Sequence, residues 1–190
     1  NEIMTDKTYK IDVCQSVTKF DGLTPQGGDA TPVAKKGAKN SKAIEVAQYL
    51  IHLAAAEEEP EYLTHLRLQK LLYFAQGWSL VMRKKALFSE RIEAWSHGPV
   101  VPIVYQEFKY QGHLPIDPDR IAQPVSLTTD EKSFVVSLWQ EYKKFSASKL
   151  RQLTHEHEPW INARDGKKPE ESCSNEITQA AMKSAFEKML

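Results

Sequence analysis

The chain has 190 residues, with 25 basic and 25 acidic side chains and a pI near 7.2. This balance provides no overall field that would attract the protein to nucleic acid or to a membrane surface, and no apolar run approaches the roughly eighteen residues of a membrane-spanning helix. Two cysteines without a CxxC pair, and the lack of an apolar signal segment, favour a reducing, cytoplasmic setting.

The N-terminal residues 1–42 differ in composition from the rest of the chain. Glycine and proline recur between Asp21 and Gly37, and four lysines lie between positions 35 and 42 with few apolar residues among them. This composition predicts a flexible arm that ends in a solvated basic linker. The alternative is that the arm becomes ordered on a partner or on a second copy of the chain, through the region around Phe20.

Two helices are predicted next. Ser41 is expected to cap the first, whose apolar residues recur at helical spacing from Ile44 to Ala54. The second begins after an N-cap at Thr64 and continues to about Met82, and its apolar side chains cover nearly every face. We therefore expect the second helix to be buried on nearly all sides, as the central helix of the fold.

The central helix carries few polar side chains that must be accommodated. A narrow seam through Gln69 and Gln76, seven residues apart, is polar and uncharged. Lys70 lies beside this seam, where an unpaired ammonium group would be costly to bury. Two interpretations of Lys70 are open: its ammonium group reaches solvent or a helix-end carbonyl, or it pairs with a buried carboxylate such as that of Glu93.

The period of the pattern changes after the central helix. Leu87–Phe88 and the alternation through Arg91–Trp95 predict short extended segments, and Ser96–Pro102 is predicted to be a turn. Pro102 is suited to the first position of a third helix, which is expected to end at Gly112.

The remaining elements are a proline-rich loop over residues 113–127 with at most one short edge strand, and then three or four helical segments. Their expected starts and caps are Thr129 or Asp130, Ser146, Trp160, and finally Ser174 or Asn175. The chain is therefore predicted to be mostly α (α+β), with about six helices around a central buried helix and a small two- or three-stranded sheet.

The sequence contains no convincing catalytic or ligand-binding motif. His155 and His157 are two residues apart, so on a helix they point about 200° apart and cannot bind one metal ion together. Ser96-His97 lacks the sequence context of a catalytic serine, and no glycine-rich phosphate loop occurs. We predict no catalytic residue, no metal and no cofactor, and hence a protein that is not an enzyme. An enzyme of unknown type that uses His97, His155 or His157 is the alternative.

Partner contacts are expected where aromatic side chains lie near exposed turns. Trp95 precedes the predicted turn at His97 and is the preferred anchor. The predicted partner-binding residues are Phe20, Trp95, His97, Tyr105 and Tyr110.

Several separated segments together resemble the Panacea antitoxin domain, a family also described as SocA-like or GepA-like and as phage-associated. They occur in the order Leu68–Trp78, Leu87–Phe88, Glu93–Trp95, His97–Pro102 with Tyr105, Leu153–His155 and Pro159–Trp160. The resemblance covers about residues 43–165. It predicts a boundary between the arm, residues 1–42, and a Panacea domain, residues 43–190.

The resemblance implies an antitoxin that neutralises a cognate toxin by direct protein–protein binding, with toxins that stop translation as the leading class. It also implies an alternative, an adaptor that delivers the toxin to a bacterial protease. The expected partner is therefore a protein toxin, with a second copy of the chain or a protease as further candidates. A membrane or a nucleic acid is not expected as a partner.

Overall fold

A computed structural model describes residues 41–190. This part of the chain forms seven helices and one two-stranded antiparallel sheet, which confirms the mostly α prediction. The predicted arm, including Phe20, lies outside the described residues. The helices are α1 (Lys42–Ala55), α2 (His65–Met82), α3 (Pro102–Phe108), α4 (Thr129–Tyr142), α5 (Ala147–His155), α6 (Glu158–Ala163) and α7 (Gln179–Glu187). The strands are β1 (Glu93–Trp95) and β2 (Gly98–Val100).

Helix α2 is the centre of the fold, as its all-round apolarity predicts. The Thr64 side chain accepts a hydrogen bond from the N–H of Arg67 (3.4 Å) and caps the helix, and every residue from Arg67 to Leu80 is buried. Helices α1, α3, α4, α5 and α7 and strand β2 all pack against it. Gly77 allows the Phe186 ring of α7 to pack directly on α2, because a Cβ at this position would overlap the ring.

The polar seam of α2 binds the backbone of the segments that follow the helix. The Gln76 amide accepts from the N–H groups of Leu87 (2.9 Å) and Phe88 (3.2 Å) and donates to the Phe88 carbonyl (2.9 Å). Gln69 accepts from the N–H of Val101 (2.8 Å). Leu87–Phe88, predicted as a short extended segment, forms its hydrogen bonds with the Gln76 side chain and is not part of the two-stranded sheet.

Strands β1 and β2 form a hairpin whose loop is only Ser96-His97. Trp95 pairs with Gly98, and Glu93 pairs with Val100. The predicted turn over Ser96–Pro102 is therefore wrong for Gly98–Val100, which form β2. Gly98 has φ +99°, a conformation that favours glycine, and it lets the chain reverse within two residues.

The last helix starts later than predicted because another element binds the residues before it. The N–H of Ala94 donates to the Asn175 carbonyl (2.9 Å), and the N–H of Ile177 donates to the Ile92 carbonyl (2.8 Å). Residues 175–177 are thus extended along the outer edge of β1, and Thr178 caps α7 in place of Ser174 or Asn175.

The other helix starts agree with the pattern or differ by one or two residues. Ser41 and Ser146 are the N-caps of α1 and α5, as predicted. Helix α4 is capped by Thr128, one or two residues before the predicted caps Thr129 and Asp130, because Thr128 and Glu131 form a reciprocal capping box. Helix α6 begins at Glu158, two residues before Trp160.

Candidate ligand- and partner-binding cleft

Lys70 is the most unusual polar side chain of the core. It is fully buried, and its Nζ donates a hydrogen bond to the Pro99 carbonyl of β2 (2.9 Å). Both interpretations from the sequence are therefore wrong. The ammonium group reaches neither solvent nor Glu93, because Gly98 lets the β2 backbone approach it so closely that a Cβ at Gly98 would lie 2.8 Å from Nζ. The Glu93 carboxylate instead accepts from the indole N–H of Trp95 (2.7 Å).

The charge of Lys70 is not balanced by a carboxylate. Among residues 41–190 no ion pair includes Lys70. Burial, together with the nearby positive charge of Arg151, lowers the pKa of Lys70 from 10.5 to about 7. The ammonium group is thus held near the midpoint of its titration at neutral pH.

Lys70 lies at the wall of an open cleft of about 680 Å³. The cleft is bounded by the first half of α2, the hairpin loop, the end of α3 with the turn that follows it, and the start of α5. The residues on which its chemistry depends are Gln69, Lys70, Trp95, His97, Tyr105 and Arg151. Its lining includes two lysines, one arginine and three histidines, and no carboxylate from the described residues.

Three of the predicted partner-binding residues line this cleft together. The rings of Trp95 and Tyr105 are 4.8 Å apart, and His65 packs edge-on against Tyr105 at 4.9 Å. His97 is exposed on the hairpin loop. Tyr110 is 62% exposed on the 3-10 turn after α3 but does not line the cleft. A role for these residues in binding remains a prediction.

The two histidines considered as metal ligands have separate environments. His155 stacks on the Trp160 ring (centroids 4.1 Å apart), whereas His157 Nδ1 is hydrogen-bonded to the Tyr73 hydroxyl (2.6 Å). Burial lowers the pKa of each histidine to about 4, so both are neutral at pH 7. Residues 41–190 contain no cluster of three or more His, Cys, Asp or Glu side chains with the geometry of a metal site.

Gln69 and Arg151 line the cleft but were not predicted as site residues from the sequence. Gln69 was recognised only as part of the polar seam, although it both holds Val101 and lines the cleft. Arg151 is one basic residue among several on an amphipathic helix, and nothing local distinguishes it. Only the packing of α5 against β2 and α2 places Arg151 beside Lys70.

The fold and the cleft define a small helical domain in which the motif residues of α2 form the core, while Trp95, His97 and Tyr105 line the cleft. Residues 68–161 match the family described as "Antitoxin SocA-like, Panacea domain", the match that the motifs predict. The antitoxin SocA of Caulobacter vibrioides (strain NA1000 / CB15N) is 46% identical over 67 residues. That similarity covers 35% of this chain and 35% of the relative, so the chain matches about a third of the relative's length.

No solved structure matches the chain. Within residues 41–190, no helix has both the length and the apolarity needed to span a membrane.

Proposed function

We propose that this chain is the antitoxin of a toxin–antitoxin pair and that it neutralises a translation-blocking protein toxin by direct binding. The family match and the named relative support the antitoxin role. The observation that carries the binding mode is the position of Trp95, His97 and Tyr105 around one open cleft beside an exposed hairpin loop. Aromatic side chains at such a position are typical anchors of protein–protein interfaces.

An exposed apolar surface next to the cleft also supports this face of the protein as the toxin-binding surface. Tyr62 is 50% exposed, Tyr110 is 62% exposed and Leu114 is 58% exposed. Thr64 pairs with Pro115 in an isolated β-bridge, which brings the neighbours of these two residues together at the rim of the cleft. A typical specific interface buries about 1,600 Å² in total, and apolar residues grouped in this way are suited to its centre.

The test is neutralisation in cells that express the gene product encoded beside this chain. Expression of the neighbouring gene alone should stop incorporation of labelled amino acids, and co-expression of this chain should restore it. The variant Tyr110→Ala should weaken toxin binding about tenfold in calorimetry, the effect expected when a contact worth about 1.4 kcal/mol is lost. The matched control is Val125→Ala, which alters a side chain that is 85% exposed and outside the cleft lining.

Two results would count against the proposal. If the neighbouring product were harmless, the antitoxin role would fail. If Tyr110→Ala and Val125→Ala bound the toxin equally well, and Trp95→Ala did too, the cleft face would be the wrong surface. Rescue that disappears in cells without an ATP-dependent protease, while binding is intact, would favour the adaptor mechanism over direct occlusion.

We also propose that residues 1–42 form an arm, separate from the domain of residues 43–190, that contacts the toxin or a second copy of the chain. Deletion of residues 1–40 should weaken toxin binding or change the oligomeric state measured by light scattering. If both were unchanged, the arm would have no docking role.

A further inference from the structure

Arg151 and Lys70, two basic side chains of the cleft, form no ion pair within residues 41–190. Of the arginines in residues 41–190, Arg67, Arg83, Arg91 and Arg120 form ion pairs, and Arg164 donates to three or more backbone carbonyls. The guanidinium group of Arg151 has no ion pair or hydrogen bond within this part of the chain, and its Nε is buried. Arg151 lines the cleft together with Lys70, which also has no counter-charge there.

A second donor in the cleft has no acceptor. Gln69 is 2% exposed, and its Oε1 is used by the N–H of Val101, while its Nε2 is buried without a partner among the described residues. An amide donor that is buried and unpaired destabilises the folded state, and such atoms in a native structure require an explanation. An acceptor on a bound group would satisfy this donor.

The other wall of the cleft is aromatic. Trp95, Tyr105 and His65 pack in sequence beside the basic residues. The volume, about 680 Å³, lies within the range of roughly 300–1,000 Å³ that is typical of small-molecule sites. The cleft therefore presents a basic end, with hydrogen-bond donors and no carboxylate, and an apolar wall.

We propose that the cleft binds a small organic oxyanion, a carboxylate or phosphate group carried on an apolar or aromatic body. Arg151 and the Nε2 of Gln69 donate to the oxyanion, and Lys70 supplies positive charge from beneath. The body packs against Trp95 and Tyr105. A guanidinium group binds planar carboxylate and tetrahedral phosphate oxygens equally well, so the structure assigns the oxyanion and leaves its carrier to the experiment.

A small molecule fits this arrangement better than a protein surface does. Gln69 and Lys70 are 2% and 0% exposed, so the flat surface of a protein partner cannot contact them. The site does not require the toxin, and its test can be carried out on the full chain alone. A negative result would therefore leave the proposed neutralisation untouched.

The experiment is a titration of the ¹⁵N-labelled full chain, followed by NMR, with phenyl phosphate and with phenylacetate. Benzyl alcohol, which has the ring without the charge, is the neutral control. We expect saturable shifts of the Trp95 indole N–H and of the Gln69 side-chain amide, with a Kd of about 1 mM or tighter for at least one anion and no saturation with benzyl alcohol. The stronger of the two anions identifies the preferred oxyanion.

The variant Arg151→Gln should weaken anion binding at least tenfold, whereas Arg120→Gln should not change it. Arg120 is a matched control because it is an exposed arginine outside the cleft lining. The proposal is overturned if neither anion gives saturable shifts at these groups. It is also overturned if benzyl alcohol gives the same shifts, or if the two arginine variants bind alike.

Discussion

The buried charge of Lys70 should make the stability of the protein depend on pH in one defined window. The pKa of Lys70 is about 7 in the folded chain, against 10.5 as its ordinary value. Between these values the unfolded chain binds more protons, so the free energy of unfolding rises with pH by up to about 1.4 kcal/mol per pH unit. Below pH 7 the folded state carries the full cost, which is about 5 kcal/mol.

The perturbation is Lys70→Met, which keeps most of the length of the side chain and removes the charge. The neighbouring His155, with a pKa lowered to about 4, stays neutral from pH 7 to 9, so the titration in this window is assigned to Lys70. Urea unfolding of both proteins, in buffers without phosphate or carboxylate, gives the difference between their unfolding free energies at each pH. The titrations of all other groups cancel in that difference. The lost hydrogen bond to Pro99 adds an offset that does not depend on pH.

The stability of the wild-type protein relative to the variant should rise by about 2 kcal/mol between pH 7 and pH 9. With an m-value of about 2 kcal/mol/M, this is a relative shift of about 1 M in the urea midpoint. Between pH 6 and pH 7 the difference should be nearly flat. Parallel curves from pH 6 to pH 9 would show that Lys70 is not titrated in this range and would refute the reasoning.

Two glycine substitutions test the close approaches that shape the fold. Gly98→Ala combines a φ of +99° with a Cβ only 2.8 Å from Lys70 Nζ, so we expect a loss of about 3 kcal/mol in urea unfolding, against about 1 kcal/mol for Gly112→Ala, where φ is +59° and no atom lies within 4 Å. Equal losses would show that the Lys70 contact is not restrictive. Gly77→Ala improves helix propensity by about 1 kcal/mol but forces the Phe186 ring to move, so a net loss of about 1–3 kcal/mol is expected; a more stable variant would contradict the packing.

The local sequence pattern was sufficient to predict the central helix, because its cap and its apolar residues all lie in one contiguous segment. The N-cap at Thr64 and the apolar residues up to Met82 are contiguous in sequence, and a helix that is apolar on all faces has to be surrounded. The same holds for Ser41 and Ser146, whose hydroxyl groups bind N–H groups three residues ahead. The helix count and the overall class follow from such signals.

The predictions from the sequence are wrong where a group distant in the chain binds the backbone. Leu87–Phe88 has the composition of a strand, but the acceptor for its N–H groups is Gln76, eleven residues earlier. Ser174 and Asn175 are good helix caps, yet the edge of β1 takes Asn175 as a partner. In each case a side chain or strand edge from another part of the fold outweighs the local preference, and no periodicity carries that information.

The cleft shows the same division between local and distant information. Trp95 and Tyr105 could be chosen because aromatic residues beside a turn and on a short helix are local features. Arg151 could not, because its position depends on how α5 packs on the hairpin. The chemistry that distinguishes the cleft, a basic group without a carboxylate, exists only after three distant segments are brought together.

The motif residues of α2 link the stability of the fold to the geometry of the cleft. Gln69 accepts a hydrogen bond from the N–H of Val101, Lys70 donates one to the Pro99 carbonyl, and both residues line the cleft. The hairpin loop that carries His97 is therefore positioned by the same side chains that a bound oxyanion would contact. Because a ligand that engages Arg151 and raises the pKa of Lys70 would also relieve the cost of burying its charge, binding should stabilise the hairpin most at a pH where Lys70 is protonated.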